Sequence, residues 1–122
     1  MPGEPTLLFV YGTLKRGDVR APLLDGQRFI GAAQTLALYR LFNTGEYPAL
    51  VEAAPLGLAG RSVVGELWQI DAGCLDRLDE EEGVEEGLYA RQRIELMAEG
   101  GNAQAYFYLH PVDGMVDCGA CW

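Results

Sequence analysis

One stretch of this chain carries a complete helix grammar. Asp71 is a good N-cap, Leu75 and Leu78 follow at helical spacing, and Gly83 stops the run. The pattern predicts a helix over residues 72–82. Almost everything else reads as short strands broken by turns. Residues 6–11 form a continuous apolar run that ends at Gly12, the signature of a strand buried on both faces. Further strands are expected over residues 28–33, 35–42, 62–70, 89–97 and 103–109, with a short extended piece at 47–51 after which Pro55 and two glycines mark a loop. Gly65 interrupts the run at 62–70, which predicts a bulge or a close backbone approach. Gly100-Gly101-Asn102 reads as a hairpin turn. Strand and helix do not alternate, so a doubly wound parallel sheet is excluded. The expectation is an α+β domain with a curled or barrel-like sheet, a single unit over residues 1–122.

Charge narrows the partners. The chain has 18 acidic residues and nine Lys or Arg, for a formal charge of −9, and the cations are scattered. Phosphate backbones need clustered cations, so a nucleic-acid partner is not expected. The same field disfavours anionic membrane surfaces. A small zwitterionic substrate remains compatible, because local dipoles hold it rather than net charge. No apolar stretch approaches the roughly 20 residues of a membrane span. The first residues lack a basic region with a long apolar run, so the expected location is cytoplasmic.

The cysteines number three, and Cys118 and Cys121 form a C-x-x-C. Cys74, His110, Cys118 and Cys121 contain the right donor types for zinc, but their spacing is not that of a finger. A redox C-x-x-C normally opens a helix after a strand, which this one does not. No metal and no cofactor are expected.

The acidic run Asp79-Glu80-Glu81-Glu82 can be sorted on a helical wheel. At roughly 100° per residue, Glu82 falls within about 20° of Leu75, between it and Leu78 in projection. Asp79 sits at the edge of the apolar stripe, Glu81 flanks it and Glu80 lies opposite. An inward carboxylate is costly unless it is neutral, paired or used, and burial moves its pKa toward the range useful for proton transfer. The pattern alone allows a second reading, in which the helix frays before Gly83 and Glu82 is solvated. The end of the first strand also has two readings. Gly12 permits a ligand to approach backbone N–H groups that bind carboxylates or oxyanions, or it simply begins a turn.

Together these stretches carry a resemblance. Phe9-Val10-Tyr11-Gly12-Thr13-Leu14-Lys15-Arg16-Gly17 resembles the N-terminal signature of the γ-glutamylcyclotransferase-like (AIG2-like) proteins, in particular the γ-glutamylamine cyclotransferases and their small bacterial relatives. Gly65-Glu66-Leu67-Trp68-Gln69-Ile70-Asp71 is similar to the strand before the family's helix. Leu78-Asp79-Glu80-Glu81-Glu82-Gly83, followed by Tyr89-Ala90-Arg91, resembles its acidic-glycine and Tyr-x-Arg motifs. Ala105-Tyr106-Phe107-Tyr108 is similar to its last strand, while Cys121 stands where bacterial members have an acid.

The resemblance implies a small mixed β-barrel with flanking helices. It implies a cofactor-independent enzyme that cyclises a γ-glutamyl group to 5-oxoproline and frees an amine or amino acid. By the match Glu82 is the catalytic residue, with Glu81 the alternative register in a run of three glutamates. Tyr11, Gly12, Thr13 and Leu14 would form the substrate loop, and Tyr89 and Tyr106 are candidate pocket residues whose alternative is plain strand core. Two other readings remain open at this point: a non-catalytic small-molecule binding module on the same scaffold, and a zinc-stabilised interaction domain.

Overall fold

In the computed structural model the described residues are 5–12, 21–45, 47–97 and 102–119. Eight strands and one α-helix occur among them, together with two short 3-10 turns, Ala21–Leu24 and Ala54–Leu56. The strands are β1 (Thr6–Val10), β2 (Arg28–Gln34), β3 (Tyr39–Asn43), β4 (Pro48–Glu52), β5 (Val64–Ile70), β6 (Tyr89–Arg93), β7 (Gln104–Tyr108) and β8 (Val116–Gly119). Helix α1 spans Ala72–Glu81.

The fold class is α+β, as expected. The strands pair into two sheets rather than one closed barrel: a five-stranded sheet ordered β2-β5-β1-β7-β6 and a three-stranded sheet ordered β4-β3-β8. β1 runs antiparallel to β5 and parallel to β7, so it lies at the centre of the larger sheet. That position explains its unbroken apolar sequence. Leu8 and Val10 enter a core that also contains Leu75 and Leu78 of α1, while Phe9 and Tyr11 enter a second core with Tyr39, Leu41 and Leu50 of the smaller sheet. A strand buried on both faces has no side left for polar alternation.

Three details differ from the sequence reading. The strand expected over residues 89–97 ends at Arg93, with an isolated bridge at Leu96 beyond it. Residues 35–38 are not strand; Thr35 instead makes a single bridge to Leu96, and its buried hydroxyl accepts from Val63 N–H at 2.8 Å. β8, where the sequence reading expects no strand, pairs with β3 through only a few residues and offers little periodicity to detect. Gly65 marks a close approach and not a bulge: a Cβ there would lie 2.3 Å from the Val10 carbonyl oxygen. The register shift falls on the facing strand, between Phe29 and Gly31. The turn expected at Gly100 and Gly101 lies outside the described residues, although β6 and β7 pair antiparallel on either side of it.

Candidate active site

The end of α1 is built by a local sequence code. Asp71 caps the start, its Oδ1 accepting from Cys74 N–H at 2.8 Å. At the other end Gly83 N–H donates to Glu80 O at 3.1 Å and Val84 N–H to Asp79 O at 3.0 Å. That pair of bonds is a Schellman closure, and it requires the left-handed backbone that Gly83 supplies at φ 66°. Glu82 is therefore the C-cap of a closed helix, not a residue of a frayed one. It is only 7% exposed, whereas Glu80 and Glu81 face solvent. The wheel's assignment of one inward glutamate agrees with this placement.

The β6–β7 hairpin presents one face to the same region. Strand alternation puts Tyr89 and Arg91 of β6 on the face that also carries Tyr106 and Tyr108 of β7, and Arg91 pairs directly opposite Tyr106. Arg91 grips Asp79 with both arms of its fork, Nε to Oδ1 at 2.9 Å and Nη2 to Oδ2 at 3.0 Å. Its third nitrogen donates to Gln104 Oε1 at 2.6 Å. The Tyr106 hydroxyl donates to Asp79 Oδ1 at 2.7 Å. Tyr11, from the end of β1, donates its own hydroxyl to the Tyr106 carbonyl at 2.5 Å. One aspartate thus collects both hairpin strands onto the last turn of α1.

The electrostatics follow from this packing. Burial alone would raise the Asp79 carboxyl, but hydrogen bonds from Arg91 and Tyr106, with the Arg91 charge, hold it below the usual carboxylate range. Tyr106 moves far the other way. Burial comes first, then the hydrogen bond to Asp79 and its charge, and the Glu82 carboxylate adds to the rise against an opposing pull from Arg91. The phenol stays protonated, and Glu82 is close enough for its charge to bear on it.

Gly12 and Tyr89 meet at another residue, Pro48. A Cβ on Gly12 would lie 2.6 Å from Pro48 Cγ, so only glycine fits against this proline without displacement. The Tyr89 hydroxyl donates to Pro48 O at 2.5 Å, and its ring packs between Tyr47 and Tyr108. The structure therefore brings Tyr106 near Glu82, ties Tyr11 to the Tyr106 backbone from the second core, and sets Gly12 and Tyr89 on a shared neighbour. Thr13 and Leu14 lie outside the described residues. A cleft of about 490 Å³ on the solvent side of the helix end is lined by Asp76, Asp79, Glu80, Val84, Glu85 and Glu86. Its walls do not include Glu82, Tyr11 or Gly12.

The sequence reading assigned no role to Asp79, Arg91 or Gln104. The edge position of Asp79 on the wheel was the available signal, but its partners lie 12 and 27 residues away. As for the zinc candidates, Cys74 is buried on the core face of α1 and Cys118 packs against the other core, while His110 meets the Tyr108 ring edge-on; Cys121 lies outside the described residues. Among the described residues no cluster of three or more His, Cys, Asp or Glu could hold a metal ion. No helix among them is long and apolar enough to cross a membrane.

The profile of the family described as γ-glutamyl cyclotransferase, AIG2-like, matches residues 8–119. The chain belongs to that family. Its members are enzymes, and the match takes in β1 through β8 with the whole of the site just described. A Vibrio cholerae protein that carries γ-glutamylcyclotransferase as a provisional name is 35% identical over 117 residues, covering 93% of this chain and 92% of that one. The γ-glutamylaminecyclotransferase A of Danio rerio is 34% identical over 105 residues, which is 80% of this chain and 63% of that protein. Among solved structures, a protein specific to uropathogenic Escherichia coli superposes with a TM-score of 0.79 at 25% identity, covering 97% of this chain and 92% of that one. A Mus musculus AIG2-like protein gives a TM-score of 0.66 at 28% identity, covering 88% and 78%.

Proposed function

We propose that this family member releases 5-oxoproline and a free amine or amino acid from a γ-glutamyl compound, with Glu82 as general acid and base. The observation that carries this reading is the buried Glu82 at a closed helix end, beside the protonated Tyr106, in a chain of this family. The reaction asks little of a protein beyond that. The nucleophile, the substrate's α-amino group, is tethered to its own electrophile, so the site mainly selects the cyclising conformer. Glu82 accepts a proton from the α-ammonium. The freed amine attacks the γ-carbonyl carbon, and the carbon–nitrogen bond to the leaving group breaks as Glu82 returns the first proton to the departing nitrogen; the second proton lost by the attacking nitrogen follows the same route to the released amine, leaving a lactam N–H and an ammonium product. Every atom is accounted for without a cofactor. Backbone N–H groups of the loop from Tyr11 through Gly12, Thr13 and Leu14 are proposed to hold the α-carboxylate or the developing oxyanion.

The acidic surface and scattered cations support a small-molecule partner rather than a nucleic acid, and a cytoplasmic setting. The test is 5-oxoproline release from a panel of γ-glutamyl amines, γ-glutamyl amino acids and glutathione. Product from at least one donor, lost in Glu82→Gln with the circular dichroism unchanged, is the expected result. If no donor yields product, while ligands still raise the melting temperature of both forms, the chain is a binding module and the proposal fails.

A further inference from the structure

Asp79 lies three residues before Glu82 in the sequence, in the last turn of α1, and it is joined to both strands of the β6–β7 hairpin. It accepts three side-chain hydrogen bonds, two from Arg91 and one from Tyr106, while its backbone carbonyl accepts the Schellman bond from Val84. The ion pair with Arg91 keeps it a carboxylate. A carboxylate has no proton to give, so across the 2.7 Å contact the phenol must be the donor. A phenol has one proton. With that proton committed to Asp79, the Tyr106 oxygen can offer only lone pairs to anything else in the site.

That constraint has a chemical consequence. A tyrosine free to rotate its hydroxyl near a carboxylate base would donate to it, stabilising the anion and weakening the base. A tyrosine whose proton is held elsewhere does not add a donor to the carboxylate, and its lone pairs suit an ammonium donor. We propose that Asp79, fixed by Arg91, is a positioning residue that holds the Tyr106 hydroxyl as an acceptor for the substrate's α-ammonium, leaving Glu82 to take the proton. The inference rests on the cyclotransferase reading of the site and extends it to residues that do not themselves touch the reacting atoms. Asp79 acts through Tyr106; Arg91 acts through Asp79. Tyr106 is itself held from behind, because the Tyr11 hydroxyl bonds its backbone carbonyl.

A role in positioning predicts coupling in kcat/KM, whereas a merely structural tie couples in unfolding free energy and leaves the kinetic costs additive. The experiment is a double-mutant cycle on kcat and KM for 5-oxoproline release, using wild type, Asp79→Asn, Tyr106→Phe and the double variant. Asp79→Asn keeps the size of the side chain and removes its charge. It is expected to lower kcat/KM about 10- to 100-fold, the range typical of a misplaced group. Tyr106→Phe is expected to cost a similar factor. In the Tyr106→Phe background, Asp79→Asn should then cost less than about threefold, since the hydroxyl it orients is gone.

Arg91→Lys, which keeps the charge but loses the fork, should give an intermediate loss that also shrinks in the Tyr106→Phe background. It serves if Asp79→Asn does not fold. A proton NMR signal from the Tyr106 hydroxyl, shifted downfield and slow to exchange, should be present in the wild type and absent from Tyr106→Phe. Equal costs of Asp79→Asn in both backgrounds, or wild-type kinetics in Asp79→Asn, overturn the inference and leave the function standing. No 5-oxoproline from the wild-type chain overturns both.

Discussion

Arg91 and Arg40 each grip an aspartate from a distant part of the chain, and the two pairs look alike on paper. Arg40 of β3 binds Asp117 of β8 through Nε at 3.0 Å and through Nη2, and donates Nη1 to Ala59 O at 3.0 Å. Arg91 of β6 binds Asp79 of α1. In both, burial alone would raise the aspartate, yet hydrogen bonds hold it below the usual range. The difference lies in the remaining lone pairs. Asp117 spends its other oxygen on the N–H of Gly119, two residues along. Asp79 gives one oxygen to each arm of Arg91, and its Oδ1 also accepts from a buried phenol on another strand, beside Glu82. One pair ends in its own loop and staples a sheet edge. The other ends in the site.

The sharpest way to break this comparison begins at the catalytic carboxylate. Glu82→Gln should lower 5-oxoproline release by at least about 10²-fold, measured as kcat, with a melting temperature close to wild type. Asp79→Ala comes next. It strands a guanidinium and a buried hydroxyl at once, so we expect a loss of about 2–3 kcal/mol in urea unfolding. Asp117→Ala should cost about 1 kcal/mol or less and leave kcat/KM within about twofold. If the two alanine variants behave alike, the distinction drawn here is wrong.

Gly12→Ala should destabilise by about 1–3 kcal/mol, because its Cβ would press on Pro48 and push β4 from the end of β1. Thermal melts of this variant against Gly114→Ala, where a Cβ meets open space, separate crowding from backbone strain alone. The pH dependence supplies a smaller effect with a definite sign. The Asp79 pKa is depressed in the folded state, so its contribution to stability is fully present above the ordinary Asp value near 3.9 and fades as pH falls below it. The acid limb of melting temperature against pH should be shallower in Asp79→Asn. Smallest of all, Glu81→Gln should leave kcat/KM unchanged within error, since that side chain faces solvent. A loss there would move the catalytic register by one residue.

How much of this was legible in the sequence depends on how far apart the cooperating residues lie. Asp71, Leu75, Leu78, Glu82 and Gly83 fall within two to three turns of one helix, where 3.6-residue periodicity and capping chemistry act. The helix and its stop were readable from those residues alone, and the wheel singled out Glu82 as the glutamate that faces inward if the helix closes; the Schellman bonds at Gly83 and Val84 decide that it does. β1 was readable for the same kind of reason, as an apolar run too dense to be half-exposed. Residues 35–38 were misread because Leu36 and Leu38 alternate as a strand does, yet both side chains are exposed and of the segment's side chains only that of Thr35 is buried and bonded. β8 was missed because a short edge strand gains its identity from its partner β3.

The sequence by itself determined most of the elements and the one glutamate that a closed helix would turn inward, because local sterics and periodicity act over a few residues. Only the tertiary structure decided what surrounds that carboxylate. Arg91 reaches Asp79 across 12 residues, Tyr106 reaches it across 27, and Tyr11 reaches Tyr106 across 95. No local rule assigns partners at such separations. They are set by which strands share a sheet and which face of a hairpin meets the helix, and there the chemistry of this chain is arranged.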